Sequence, residues 1–173
     1  MRKLEDAYLH KGLRKQLVEQ LKEKGIEGLV AIGGNGTFTG AEIFYNEFKI
    51  PTVGAPGTID NDLYGTDYTI GYDTAVNTAL DAIDKIRDTA DSHDRVFFIE
   101  VMGRDSGYIA IECGIAGGAE AVMIPENLTP ISEIVNILEQ GITKAKSSSI
   151  VVVAEGDEEG NAQIVAKKIK ESI

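Results

Sequence analysis

Short apolar runs that stop at glycine, each followed by a stripe of apolar residues at helical spacing, constrain this chain most. Leu29-Val30-Ala31-Ile32 runs straight into Gly33-Gly34, and residues 38–48 then carry Ala41, Phe44, Tyr45 and Phe48 on one helical face. Thr52-Val53 leads into Gly54-Ala55-Pro56-Gly57. The rhythm repeats downstream. A helix is predicted over 73–90 (Val76, Leu80, Ile83, Ile86), with Lys85 and Arg87 late, where the helix dipole favours cations. A strand over 95–102, a small-residue helix over 106–116 and a strand over 121–124 stopped by Pro125 follow. A helix over 131–145, the buried strand 150–154 and an amphipathic helix over 161–173 complete the series. Ahead of it all, residues 11–24 carry Leu13, Leu17, Val18 and Leu21 at helical spacing, closed by Gly25 or Gly28. Strands that read as continuous apolar runs are buried on both faces, as in parallel sheets. The alternation therefore predicts an α/β fold with a mainly parallel, doubly wound, three-layer sheet. Its most natural division falls near Gly71, separating residues 1–71 from 72–173.

A chain of 173 residues buries roughly 70% of its unfolded surface, enough for a core without covalent staples. The charge balance, 28 Asp plus Glu against 17 Lys plus Arg, argues against a nucleic-acid partner, which needs a basic face. The single cysteine, Cys113, rules out an internal disulfide and fits a reducing compartment; a buried, inert thiol is expected there. No apolar run approaches a membrane span, and Met1-Arg2-Lys3-Leu4-Glu5-Asp6 leads into no signal-peptide core, so a soluble cytoplasmic protein is expected. Nineteen glycines against four prolines, without low complexity, point to loops lined by backbone.

In open α/β sheets ligands bind outside the carboxyl ends of the strands, and four loops qualify. Gly33-Gly34-Asn35-Gly36-Thr37 joins a strand to a helix, and its glycines suit either a phosphate cradle or a tight turn. It matches neither the P-loop nor the dinucleotide pattern. Pro56-Gly57-Thr58-Ile59-Asp60-Asn61-Asp62 sets two carboxylates two residues apart, which can divide proton transfer and metal binding between them or form a solvated turn. Met102-Gly103-Arg104-Asp105-Ser106-Gly107 places an arginine beside glycine at a strand end, suited to a phosphate or oxyanion, or to pairing with Asp105. Glu155-Gly156 ends the strongest strand, ahead of the acidic run Asp157-Glu158-Glu159, which reads as solvated. His10 and His93 have no partners at zinc-ligand spacing.

Taken in order, Gly-Gly-Asn-Gly-Thr, Pro-Gly-Thr-Ile-Asp-Asn-Asp, Ser-His-Asp-Arg, Glu-Val-Met-Gly-Arg and Ala-Glu-Gly resemble the ATP-dependent 6-phosphofructokinases, from about Ile26 onward. The resemblance implies transfer of the γ-phosphate of ATP to the 1-hydroxyl of fructose 6-phosphate, with Mg²⁺. It implies that Asp60 is the general base, that Asp62 assists at the metal together with Asn35, and that Thr58 and Arg104 flank the transferring phosphoryl group. Gly34, Asn35, Gly36 and Thr37 would line the ATP phosphates. Thr58, Ile59, Asp60, Met102, Gly103, Arg104 and Glu155 would hold the sugar, with Arg95 reaching its phosphate across a subunit interface. Arg87, Gly118, Ala119, Glu120, Lys144 and Lys146 match the family's effector site, which would take ADP or phosphoenolpyruvate. A homo-oligomer, dimer or tetramer, is implied as well.

The pyrophosphate-using branch of the family resembles this pattern with Asp and Lys where this chain has Gly36 and Gly57, so the sequence looks ATP-type; a side chain at either position would intrude on a nucleotide. Asn35 replaces the family's usual Asp, exchanging a carboxylate for a neutral carbonyl. The family's first strand with its glycine-rich ATP loop, and its later sugar-phosphate ligands, have no counterpart in these residues. The expectation is a central portion holding parts of an ATP-binding domain (1–71) and a sugar-phosphate-binding domain (72–173), inactive alone. The alternatives are a pyrophosphate-dependent enzyme and a non-catalytic module that keeps only the effector half.

Overall fold

The computed structural model describes residues 11–90, 95–144 and 148–172. The predicted effector residue Lys146, and His10 and His93, which the sequence gives no ligand partners, lie outside the described residues. The elements in chain order are α1 (Lys11–Glu23), β1 (Leu29–Gly33), α2 (Asn35–Phe48), β2 (Thr52–Pro56), α3 (Tyr72–Ala90) and β3 (Val96–Val101), then α4 (Tyr108–Ala116), β4 (Ala121–Met123), α5 (Ile131–Thr143), β5 (Ser149–Ala154) and α6 (Ala162–Ser172). The chain divides into two compact units. One takes the residues up to Thr58 together with Leu63–Ile70; the other takes Ile59–Asp62 together with Gly71 onward.

In the first unit β1 and β2 pair in parallel, Leu29 opposite Thr52 and Gly33 opposite Pro56, with α2 as the crossover. Helix α1 closes in a Schellman turn, the amides of Gly25 and Ile26 returning to the carbonyls of Lys22 and Leu21. Val18 and Leu21 of α1 pack with Phe44 of α2 and with Ile50. Helix α2 starts at Asn35, three residues before the apolar stripe, because extended Gly34 lets the helix begin directly from the strand end. The glycine motif is thus the first turn of a helix rather than a loop ahead of one. On the sheet face away from this cluster, Val30, Ile32 and Val53 are 66–70% exposed.

The second unit is built around a parallel sheet in the order β3-β5-β4. β5, at its centre, is buried at every position. Ile150, Val152 and Ala154 face Tyr72, Val76 and Ile83 of α3 and Ile109, Ala110 and Cys113 of α4. Val151 and Val153 face Ile134 and Leu138 of α5 and Val165 and Ile169 of α6. Each such buried aliphatic side chain contributes about 1.5–3 kcal/mol relative to exposure. This is the predicted three-layer, doubly wound sheet. The crossover from β3 through α4 to β4 runs in one direction, and the crossover through α5 to β5 runs back on the other face, as crossovers of one hand require. The turn is also where functional loops gather, since strand order reverses at β5.

Candidate active site

In the first unit the glycine motif is shaped by close packing. A Cβ on Gly33 would fall 2.2 Å from the hydroxyl oxygen of Thr37, so the threonine side chain folds back over the strand end. Gly34 lies alongside Thr58, whose Cβ would be 3.4 Å from an added methyl. No side chain caps α2 at Gly34, and the first-turn amides at Gly36 and Thr37 belong to a helix N-terminus, which attracts anions. A Cβ on Gly36 would meet nothing within 4 Å, so the packing of the chain does not itself require glycine there. At Gly57 packing contributes as well: a Cβ there would press on a methyl of Ile32 at 2.9 Å.

In the second unit the strand-end residues converge. Asp60 is only 7% exposed, and its Oδ2 lies 3.7 Å from Nε of Arg104, whose side chain is mostly in solvent. With one partner solvated at that distance, the pair contributes little to stability, and its value lies in placement. Arg104 follows β3 in the left-handed region at φ 51°, an arrangement that costs about 1–2 kcal/mol for a residue other than glycine. Glu155, at the end of β5, holds it there. Its Oε2 accepts the backbone N–H of Arg104 at 3.1 Å and of Gly103 at 3.4 Å. The carboxylate predicted to take sugar hydroxyls therefore also shapes the arginine loop. Gly156 is pressed against the same loop, 2.2 Å separating a would-be Cβ from the Arg104 carbonyl oxygen. Gly103 has φ 148° and abuts the Ser106 carbonyl, so glycine is required on both counts.

Two residues with no role in the sequence reading complete this frame. Ser106 is buried, and its hydroxyl donates to the Asp60 carbonyl at 3.1 Å. Glu126, past β4, accepts the Gly107 N–H at 2.8 Å at the head of α4. Ser106 stands inside a motif the sequence singles out, and a serine just ahead of a helix reads as a cap; its distant partner comes only from the fold. Nothing in the sequence signals Glu126.

Other predicted residues fall elsewhere. The Ile59 side chain packs on the core cluster around Tyr72, so only its backbone is open to a substrate. Met102 is exposed beside the loop. Arg95 precedes β3, at the opposite end of that strand from Met102 and Arg104, about 20 Å away at 3.3 Å per residue. It is not part of the cluster its own chain forms. Asp62 is exposed, in the second unit, whereas Asn35 is exposed at the start of α2 in the first. Among the described residues no group of three His, Cys, Asp or Glu is placed to hold a metal.

Of the residues matched to an effector site, Arg87, Gly118, Ala119, Glu120 and Lys144 lie at the amino end of the sheet. Arg87, in the last turn of α3, donates to the Gly117 carbonyl, and its guanidinium lies against Gly118. Ala119 donates to the Gly114 carbonyl at 2.8 Å. Glu120 accepts the Ile150 N–H at 2.5 Å just before β4. Lys144 follows α5, exposed.

Two acidic groups are shifted by burial. Desolvation, helped by Glu112, pushes the Cys113 thiol up to about 11, and the thiol donates to the Val76 carbonyl at 3.6 Å; it is no nucleophile. Asp157 corrects the expectation of a solvated acidic run. It is 6% exposed, because the turn after β5 folds it inward through Asp157 N–H to the Ala154 carbonyl and Gly160 N–H to its own. Desolvation raises its pKa, and the nearby charges of Glu159 and Glu158 push the same way. Its Oδ1 accepts the Glu159 N–H at 2.9 Å, while Oδ2 is buried without a hydrogen-bond partner.

Known proteins share this arrangement. The phosphofructokinase family model matches residues 2–173. An ATP-dependent 6-phosphofructokinase of Cytophaga hutchinsonii is 63% identical over 160 residues, 92% of this chain and 49% of that protein. The ATP-dependent 6-phosphofructokinase 1 of Thermus thermophilus is 58% identical over 160 residues, again 92% of this chain and 50% of that protein. The solved structure of phosphofructokinase from Saccharomyces cerevisiae superposes with a TM-score of 0.89 at 32% identity, covering 95% of this chain and 26% of that one. A pyrophosphate-dependent phosphofructokinase from Marinobacter aquaeolei, at a TM-score of 0.76 and 24% identity, shares the fold. The chain spans about half the length of the curated relatives it matches. A family match running through nearly every residue, on a sheet whose carboxyl end gathers Asp60, Arg104 and Glu155, places this chain in the phosphofructokinase family.

Proposed function

We propose that the full-length protein carrying this chain transfers the γ-phosphate of ATP to the 1-hydroxyl of fructose 6-phosphate, giving fructose 1,6-bisphosphate and ADP. The observation that carries this reading is the buried Asp60 carboxylate paired with Arg104 at a strand-end loop, in a chain 63% identical to a protein named for that activity. Asp60 accepts the proton of the attacking hydroxyl, and its burial limits competition from bulk water for that role. Arg104, held by Glu155, stabilises the charge on the transferring phosphoryl group, and Thr58 is assigned to the same group. Met102, Gly103 and Glu155 hold the sugar, and the α2 amides from Gly34 to Thr37 receive the ATP phosphates. The first unit thus belongs to the ATP-binding domain and the second to the sugar-phosphate-binding domain.

Asn35 in the first unit and Asp62 in the second each offer an oxygen of the kind Mg²⁺ takes, since the ion usually draws one or two oxygens from protein and the rest from phosphate and water. With ATP the ion would neutralise phosphate charge. The position of Arg95, at the far end of β3 from Met102, supports a role in a neighbouring subunit's site and hence a homo-oligomer. Arg87, Gly118, Ala119, Glu120, Lys144 and Lys146 would form the anion-binding effector site for ADP or phosphoenolpyruvate, in a cytoplasmic enzyme. Gly36 and Gly57, where the pyrophosphate-using branch carries Asp and Lys, favour ATP over pyrophosphate.

A coupled aldolase assay of the full-length protein, with Mg²⁺ and fructose 6-phosphate, tests the reading. Turnover with ATP and little with pyrophosphate is expected. Turnover with pyrophosphate alone, or none with either donor, overturns it.

A further inference from the structure

We propose that Ser106 is a positioning residue for Asp60, clasping the backbone of the base to the loop that presents Arg104. The inference rests on the reading of Asp60 as general base and adds a residue to which neither the motifs nor the family match gives a role. Ser106 is 5% exposed. Its hydroxyl donates to the Asp60 carbonyl at 3.1 Å and accepts the Tyr108 N–H at 3.5 Å. A serine two residues before a helix ordinarily uses its oxygen on that helix. Here the proton of the same hydroxyl goes to a residue 46 positions away in sequence.

The loop around Ser106 is fixed without Asp60. Glu155 takes the N–H groups of Gly103 and Arg104, Glu126 takes that of Gly107, and the Ser106 N–H closes the turn onto the Gly103 carbonyl at 3.0 Å. A frame held at these points can act as a reference, and the Ser106 hydroxyl transmits that reference to Asp60. The Asp60 carboxylate is one methylene from its backbone, so a shift of the backbone displaces the group that must meet the substrate hydroxyl. Misplacement by about 1 Å costs up to about 100-fold in rate where attack geometry matters. The same contact ties the Asp60 backbone to the loop that carries Arg104, so the hydroxyl helps set the spacing of base and guanidinium.

The test compares Ser106→Ala, Asp60→Asn and the double variant in the full-length protein, with ATP and fructose 6-phosphate. Ser106→Ala is expected to lower kcat about tenfold with both KM values within about twofold. In the Asp60→Asn background it should cause no further loss, because the serine acts through that carboxylate. A kcat within twofold of the parent overturns the proposal, and so does an equal loss in both backgrounds. Asp60→Asn at the parent rate overturns the base reading itself, and this proposal with it, which is a separate result. Ser106→Cys fills the same space with a much weaker donor and is measured alongside. It should fall between serine and alanine, and it decides the matter if the alanine variant does not fold; a cysteine variant at the full rate overturns the proposal.

Discussion

At the carboxyl end of the β3-β5-β4 sheet, charge is presented; at the amino end it is tied to backbone. Arg104 stands mostly in solvent on a strained left-handed residue, and the carboxylate facing it is buried. That loop is braced by the Glu155 and Glu126 carboxylates and by close glycine contacts. At the other end the Arg87 guanidinium meets the Gly117 carbonyl and the Glu120 carboxylate meets the Ile150 amide. Those bonds close the starts of β4 and β5, and a ligand arriving there must exchange with them. A group held ready, with its bracing supplied elsewhere, suits chemistry, where reorganisation at the moment of reaction is costly. A group that must trade one bond for another suits a response to a ligand.

Substitutions can break this contrast in graded steps. The largest effect is expected for Asp60→Asn, a fall in kcat of about 10³-fold in a steady-state assay of the full-length protein. Next comes Arg104→Ala, about 10²-fold in kcat, with Arg104→Lys recovering only part because a lysine lacks the planar fork. Gly156→Ala drives a methyl into the Arg104 carbonyl, 2.2 Å away. It should cost about 1–3 kcal/mol, seen as an unfolding midpoint lower by roughly 3–10 °C, and should slow turnover as the loop shifts.

The smallest effect concerns pH. The folded-state pKa of Asp157 lies above its unfolded value, so the folded state binds more protons between the two. Stability from this group is therefore present at low pH and is lost as pH rises through the folded pKa. Asp157→Asn, which imitates the neutral form, should raise the unfolding midpoint by about 1–3 °C at pH 7, and the gain should vanish near pH 4. A gain that persists at low pH would show that the carboxylate is not the source.

The layers of the fold were legible because burial on both faces leaves a continuous apolar run, and Ile150–Ala154 is such a run. The strand-end loops could be read for a similar reason, since strands of this kind end in glycine where ligands approach. Contacts between residues far apart in sequence could not be read. Ser106 reaches Asp60 because residues 59–62 join the second unit, and Glu126 reaches Gly107 because β3 and β4 end at the same edge of one sheet. The inward turn of Asp157 was hidden for another reason: three consecutive acids read as solvated until a backbone turn buries the first of them. Gly57 has a packing contact the sequence could not show, since Ile32 also lies where its Cβ would be.

The division of labour between the two ends of the sheet is tested most directly by assaying Asp60→Asn and Arg87→Ala side by side. The assay uses the full-length protein at saturating ATP and fructose 6-phosphate, with and without ADP or phosphoenolpyruvate. The account predicts that Asp60→Asn falls to near background, while Arg87→Ala keeps the parent kcat and loses its response to the effectors. Equal losses of kcat in the two variants would contradict it.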